Sequence, residues 1–469
     1  MAGTAHSHHT YRILAIGIVL IAAVIGLIFF FSNPSAKHAD YKRIRSESYN
    51  TVFLSMFPTD NYDEESFAYW RGQQTLKTGY NLPDLKSIQA YMKQIAKSGN
   101  EISYIYLGVN PEKVSSDELL ALLRNYPSVQ FQLILPYPSM DYWKTLSEEE
   151  VTAALEAFRT LADTMEAEEN IHVYLFDREW LLCNPANYEN TLLTTAEASL
   201  TLMLNCDTDH RYVLNAENVD AAFEQFSALL AKERNTPTVY PDWSDTKVVF
   251  FGDSVIANFT DTTSIPGVVH ALTNAKVYNC GYGGNSAAYT PDCLINLPGI
   301  VDAFLNQDLS AVPTDQQVYQ GLCDYFADAA ETDHLCFVIN YGLNDYFESL
   351  PIDSEDPYDI ATYSGALRTA VRDLQNAYPT AHILLNTPTY NIYYGQATAE
   401  PGAVDSFPDY VEAVKKVGAE QNVPVMDNFT GLGIDYQNIS DYMPDGVHPN
   451  EAARFRIGQH IALSGIGDF

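Results

Sequence analysis

Val248-Val249-Phe250-Phe251 runs without a polar residue into Gly252-Asp253-Ser254, and an apolar pair, Val255-Ile256, follows. A short unbroken apolar run suits a strand buried on both faces, which belongs inside a parallel sheet covered by helices. Open α/β sheets put their chemistry at the C-terminal ends of the strands. Ser254 therefore falls where a nucleophile would be presented. Alone, Gly-Asp-Ser is equally a plain turn at a strand end.

The pattern continues downstream. Strands are expected at Lys276–Asn279, Cys336–Asn340, His382–Leu385 and Val423–Met426, with helices at Thr362–Tyr378, Asp409–Val417 and Glu451–Leu463. Tyr363, Leu367, Val371 and Leu374 share one face of the first of these helices. Strand–helix alternation of this kind predicts a three-layer α/β/α domain over residues 245–469.

Three clusters follow predicted strands or precede the last helix. They are Asn279-Cys280-Gly281-Tyr282-Gly283-Gly284-Asn285-Ser286, Tyr341-Gly342-Leu343-Asn344-Asp345 and Asp445-Gly446-Val447-His448-Pro449-Asn450. Each has a dull alternative: a glycine turn, a helix cap, a proline opening the final helix. Together they supply what acyl transfer needs, namely an activated hydroxyl, a base and a group that orients the base. Ser254, His448 and Asp445 fill those roles, and the Asp-x-x-His spacing lets one turn bring carboxylate to imidazole. The backbone N–H groups of Ser254 and Gly284 and the side-chain amide of Asn344 would hold the oxyanion. This chemistry requires no cofactor and implies no metal.

Gly252-Asp253-Ser254, the Gly284 loop, Gly342-x-Asn344-Asp345 and Asp445-x-x-His448 resemble, in order, the four blocks of the SGNH (GDSL-type) hydrolase family. The resemblance covers residues 245–469 and implies a flavodoxin-like fold with strand order 2-1-3-4-5. It implies Ser254 as nucleophile, Gly284 and Asn344 in the oxyanion hole, and Gly252, Asp253 and Asp345 in support. The second block is the loosest match, because Gly281, Gly283 and Gly284 compete for it; Gly284 has the spacing most similar to the family's.

Residues 49–235 carry a second alternation, with strands at Thr51–Phe57, Ile102–Leu107, Val129–Leu135 and Ile171–Phe176. Ser147 and Glu150 form a capping box ahead of a helix bearing Val151, Leu155, Phe158 and Met165. A later helix bears Val219, Phe223, Phe226 and Leu230, and the Pro237–Pro241 region marks the boundary. This α/β domain is either a catalytically inactive copy of the second or an unrelated neighbour. Gly108-Val109-Asn110 echoes Gly342-Leu343-Asn344, Val129–Pro136 echoes Ile383–Pro388, and Asp207-Thr208-Asp209-His210 echoes Asp445–His448. Ser55-Met56-Phe57-Pro58 stands where Gly-Asp-Ser would be.

Before both domains, Ile13–Phe31 is nineteen residues without a charge. At 1.5 Å per residue this nearly matches a hydrocarbon core about 30 Å thick. Residues 13–31 are expected to be an uncleaved single-pass transmembrane anchor, with 1–12 a short tail and 32–48 a linker. Arg12 lies on one side and Lys37, Lys42, Arg43 and Arg45 on the other, so charge alone favours a cytoplasmic body. The very short tail favours export, and the expectation is a cell-membrane protein with both domains extracytoplasmic.

The net charge of −34, from 26 basic and 60 acidic residues, argues against nucleic acid and anionic lipid surfaces as partners. Six cysteines match no zinc spacing. The leading function is a membrane-anchored serine esterase acting on O-acyl, above all O-acetyl, groups of cell-surface or cell-wall carbohydrate. Alternatives are an O-acyltransferase served by a membrane acyl-donor partner, a lipase or thioesterase, and a non-catalytic surface binding protein.

Overall fold

The structure, a computed structural model, describes residues 34–58, 61–208, 212–235, 238–291, 295–328, 334–392 and 406–468. The expected anchor at 13–31 and its tail lie outside them. Among the described residues no helix is long and apolar enough to cross a membrane. The described chain divides into two units, one running to Asp177 and resuming over Tyr188–Thr236, the other comprising Arg178–Asn187 and Pro237–Phe469. The ten residues Arg178–Asn187 fall within 49–235 in sequence but belong by their contacts to the second unit, with Trp180, Leu181 and Leu182 buried.

The first unit opens on a helix, α1 (Pro34–Ser46), where a linker was expected. It is docked: Ile44 is buried, Asp40 Oδ2 accepts from Tyr91 Oη, and Arg43 bridges Glu47 and Glu64. The expectation failed because basic residues mask a face carrying Tyr41 and Ile44. The sheet comprises β1 (Thr51–Ser55), β2 (Thr75–Lys77), β3 (Tyr104–Gly108), β4 (Gln130–Ile134), β5 (Ile171–Tyr174) and β6 (Val213–Leu214). Its order is β2-β1-β3-β4-β5-β6, parallel except for the β5–β6 pair. Three residues, Thr-Leu-Lys, make β2 too short to stand out in the sequence. The helix α2 (Glu148–Met165) carries both hydrogen bonds of the Ser147–Glu150 capping box. Its buried face is Val151, Ala154, Phe158, Leu161, Ala162 and Met165, with Leu155 only half-buried. The helix α3 (Val219–Asn235) buries Phe223, Phe226 and Leu230.

The second unit holds a five-stranded, all-parallel sheet of β7 (Lys247–Gly252), β8 (Lys276–Gly281), β9 (Leu335–Asn340), β10 (His382–Asn386) and β11 (Val425–Met426). The order β8-β7-β9-β10-β11 is 2-1-3-4-5 in chain sequence. Central position explains the apolar run: β7 pairs with β8 on one edge and β9 on the other, and Val248 to Phe251 are all fully buried. Each such side chain contributes roughly 1.5–3 kcal/mol by leaving water. The helices that matter for the site are α4 (Ser254–Ala257), α5 (Ile265–Thr273), α6 (Leu343–Phe347), α7 (Tyr363–Ala377), α8 (Phe407–Gln421) and α9 (Glu451–Ala462). Tyr363, Leu367, Val371 and Leu374 of α7 are all buried. Parallel pairing brings the C-terminal ends of β7, β8 and β9 together at Gly252, Gly281 and Asn340, and there the polar clusters converge.

Candidate active site

Ser254 opens α4, one residue beyond the Asp253 cap, whose Oδ1 accepts the Val255 N–H at 2.9 Å. As the first helical residue, Ser254 has a backbone N–H with no acceptor inside the helix. Gly252 allows this tight exit, since an added Cβ would strike Ile256 and the Asn340 carbonyl. Asn279 fastens the other end of α4 by donating Nδ2–H to the carbonyls of Ile256 and Phe259.

Ser254 Oγ lies 2.9 Å from His448 Nε2, across 194 residues of chain. His448 Nδ1 lies 2.6 Å from Asp445 Oδ2, and Asp445 Oδ1 accepts the backbone N–H groups of Val447 and His448 at 2.9 and 2.7 Å. One carboxylate thus shapes the turn and orients the ring. The Asp445 contact places the proton on Nδ1 and leaves Nε2 to accept from Ser254. Partial burial pushes the Asp445 carboxyl up, but the His448 backbone and ring outweigh it and hold the group below the usual carboxylate range.

Nothing in the sequence pointed to Arg454, which braces the histidine loop. Its side chain is fully buried on α9, donating Nη1–H to Pro449 O at 2.8 Å, Nε–H to Thr263 O at 2.8 Å and Nη2–H to Thr263 Oγ1 at 2.9 Å. The guanidinium stacks on Phe259, 3.6 Å from the ring centroid. It therefore ties the residue after His448 to the segment that follows Ser254. An arginine in an amphipathic helix ordinarily reads as a solvated face, so its role is invisible before folding.

Of the three competing glycines, Gly281 packs against Ala257 of α4, Gly283 approaches Asn258, and Gly284 alone has a positive φ, of 76°. An added Cβ at Gly284 would meet nothing within 4 Å. Backbone conformation, not crowding, demands the glycine, and its loop faces open space. Asn344, on α6, donates Nδ2–H to Asn285 O at 2.9 Å, which uses one of its two amide hydrogens. Gly342 turns the chain out of β9 at φ 125°, where a side chain would collide with Tyr363 and Pro388.

Asp345 caps no helix. Its oxygens accept the N–H groups of Ala287 and Ala288, both at 2.9 Å, and so anchor the far end of the glycine loop. Both Asp253 and Asp345 are buried, and burial pushes each carboxyl up to about 7, against the pull of their backbone donors. The Asp253 charge further disfavours ionisation of Asp345.

Beside Gly284 opens a cavity of about 530 Å³, walled by Tyr282, Asn285, Thr290, Glu348 and Leu350. A larger one, about 930 Å³, is lined by Ser349, Asp353, Tyr410 and Lys416; neither cavity is lined by Ser254, Asn344 or His448, and the smaller one reaches the site through Gly284. Among the described residues no three His, Cys, Asp or Glu side chains converge as metal ligands.

Residues 250–454 match the GDSL-like lipase/acylhydrolase family. Those residues form a GDSL-like lipase/acylhydrolase domain, of a family of hydrolases. Solved structures similar to it include a protein from Lactobacillus plantarum at 21% identity, covering 48% of this chain and 98% of that one with a TM-score of 0.36. A lipase/acylhydrolase from Enterococcus faecalis is 18% identical, covering 47% and 96%, with a TM-score of 0.30. The acetyl xylan esterase AlAXEase is 16% identical, covering 46% and 97%, with a TM-score of 0.31. Comparison with curated proteins gave no match.

Proposed function

We propose that this chain is a serine esterase working through a Ser254–His448–Asp445 acyl-enzyme mechanism on O-acyl groups of carbohydrate. The observation that carries it is the continuous series from Ser254 Oγ to His448 Nε2 (2.9 Å) and from His448 Nδ1 to Asp445 Oδ2 (2.6 Å). Ser254 Oγ attacks the acyl carbon while His448 Nε2 takes its proton. The Ser254 and Gly284 N–H groups and the Asn344 amide receive the developing oxyanion, each such donor being worth roughly 3 kcal/mol. His448 then protonates the leaving alkoxide, and the acyl group stays on Ser254. A water deprotonated by His448 releases it as the acid; a sugar hydroxyl in place of water would make the enzyme a transferase.

Carbohydrate is favoured over lipid by the cavity beside Gly284, where Tyr282, Asn285, Thr290 and Glu348 outnumber one aliphatic residue, Leu350. A long acyl chain would desolvate those groups without pairing them. The AlAXEase name agrees with this reading. p-Nitrophenyl esters of increasing length test it, with acetate release from acetylated xylan alongside. Preference for acetyl and release from the polymer support it; preference for decanoyl would move the assignment to a lipase.

The chain is read as tethered by residues 13–31 with its body outside the cytoplasm, on the strength of the uncharged run alone. The first unit is read as an inactive copy. The first five strands of the six-stranded sheet follow the 2-1-3-4-5 order of the second sheet, and the residue after the first strand makes the same bond, Met56 N–H to Gly108 O and Asp253 N–H to Asn340 O. Leu135 N–H to Tyr174 O likewise corresponds to Thr387 N–H to Met426 O, which aligns Pro136 with Pro388. On this register Gly108 matches Asn340, two residues from its sequence echo at Gly342, and Phe57 occupies the place of Ser254. Phe57 packs edge-on to Tyr137 and offers no nucleophile. The echo at Asp209-His210 lies outside the described residues.

A further inference from the structure

An oxyanion donor works only if its direction is fixed before the substrate arrives, and packing does not fix the Gly284 N–H. Its loop leaves β8 with Tyr282 N–H on Gly252 O at 2.8 Å, two residues before Ser254. Asn285 N–H then bonds Tyr282 O at 3.2 Å, which closes a β-turn over 282–285. Gly284, at φ 76°, takes the third position of a type II turn, where a positive φ is required. The turn's own hydrogen bond does not use the Gly284 N–H, which belongs to its central peptide. A peptide between two glycines rotates at little steric cost. An added Cβ would meet Asn258 Oδ1 at 3.5 Å beside Gly283 and nothing within 4 Å of Gly284. Hydrogen bonds, not neighbouring side chains, must hold this donor in place.

Helix α6 supplies them. Asn344 Nδ2–H bonds Asn285 O, while Asp345 Oδ2 and Oδ1 accept the N–H groups of Ala287 and Ala288, all at 2.9 Å. An aspartate in the first turn of a helix ordinarily serves that helix's own N-terminus. Asp345 commits both oxygens to the loop instead, and it and the two alanines are fully buried. The Asn285 carbonyl, between the turn and the clamped alanines, in turn holds one hydrogen of the Asn344 amide. The direction of both donors therefore depends on where Asp345 sets the loop. We propose that Asp345 is a positioning residue for the reaction, holding the Gly284 N–H and the Asn344 amide in place for the oxyanion through residues 285–288. This rests on the acyl-enzyme reading above. Two N–H groups need two acceptors. In Asp345→Asn one acceptor becomes an NH2 donor facing an N–H, so one bond is lost and the loop end shifts.

The test compares p-nitrophenyl acetate with its thiono analogue, in which sulfur replaces the carbonyl oxygen. It uses the full chain at about pH 8.5, above the value of about 7 to which burial raises Asp345, so that the carboxylate is ionised. Sulfur is a weak hydrogen-bond acceptor, so a well-placed oxyanion hole favours the oxygen ester and a displaced one does not. The reading is the ratio of kcat/KM, oxygen over thiono, which does not depend on the folded fraction. Asn344→Ala, which removes a donor outright, sets the scale. We expect the ratio to fall about tenfold in Asp345→Asn, with kcat for the oxygen ester falling more than KM rises. Asp345→Ser, too short to reach both alanines, should behave alike. An unchanged ratio in a folded variant overturns the proposal and makes Asp345 a support of the fold alone, as does failure of both variants to fold. Wild-type protein that turns over neither ester overturns the acyl-enzyme reading itself, and this proposal with it.

Discussion

At Asp445 a single carboxylate does two jobs, and they separate under mutation. Asp445→Asn keeps an oxygen for the turn but disturbs the Nδ1–H partner, so kcat should fall by roughly 10²–10⁴-fold with little change in KM. Steady-state kinetics on p-nitrophenyl acetate check this; a loss confined to KM would contradict it. The buried carboxylates make a different prediction. Asp253 and Asp345 have folded values near 7, above the roughly 3.9 of an unfolded aspartate. A raised carboxyl keeps its proton in the fold after the unfolded chain has lost it, so its contribution is full below about pH 4 and is lost as pH rises to about 7. Asp445 runs the other way, its stabilisation being lost as pH falls. Asp253→Asn should therefore gain thermal stability relative to wild type as pH rises from 4 to 8. Melting curves across that range test it, and a constant offset would show that Asp253 does not titrate there.

Elements decide how far apart a nucleophile and its base are held. The histidine loop has no strand of its own; it hangs on α9 and on a few contacts, including Ile392 N–H to Gly446 O at 3.0 Å and the Arg454 brace. Arg454→Met would leave the Thr263 and Pro449 carbonyls without their donor. Each lost bond costs about 1–3 kcal/mol when a buried acceptor is left unsatisfied, so the melting temperature should drop by several degrees. The account further expects kcat to fall more than KM rises at a temperature where the variant is folded, with Arg454→Lys recovering part of the loss. Equal activity per folded molecule would make Arg454 purely structural.

The elements also show where sequence reasoning stops. β7 was legible because both its faces are buried, and α2 because its capping box and its apolar stripe agree. The docked helix α1 was not, since its stabilising contacts come from Tyr91, Glu64 and Lys77, distant in the chain. Ser254, His448, Asp445, Asn344 and Asp345 stood out because their chemistry is local to short motifs. Arg454 did not, because it acquires meaning only from what folding places beside it. Asn428, within an Asn-x-Thr triplet, is fully buried, which closes that site to glycosylation in the folded chain.

At the scale of the whole molecule, two sheets that share a 2-1-3-4-5 run of strands carry, among the described residues, one set of acyl-transfer residues. The register that matches Phe57 to Ser254 predicts a single reactive serine per chain, with the first unit silent. The most direct measurement is the stoichiometry and position of a fluorophosphonate adduct on the full chain, read by intact-mass and peptide mass spectrometry. The account predicts one adduct per chain, on Ser254, absent in Ser254→Ala and formed at least a hundredfold more slowly in His448→Ala, on the order expected when the general base is lost. No adduct on wild type, or an adduct that persists in Ser254→Ala, would contradict it.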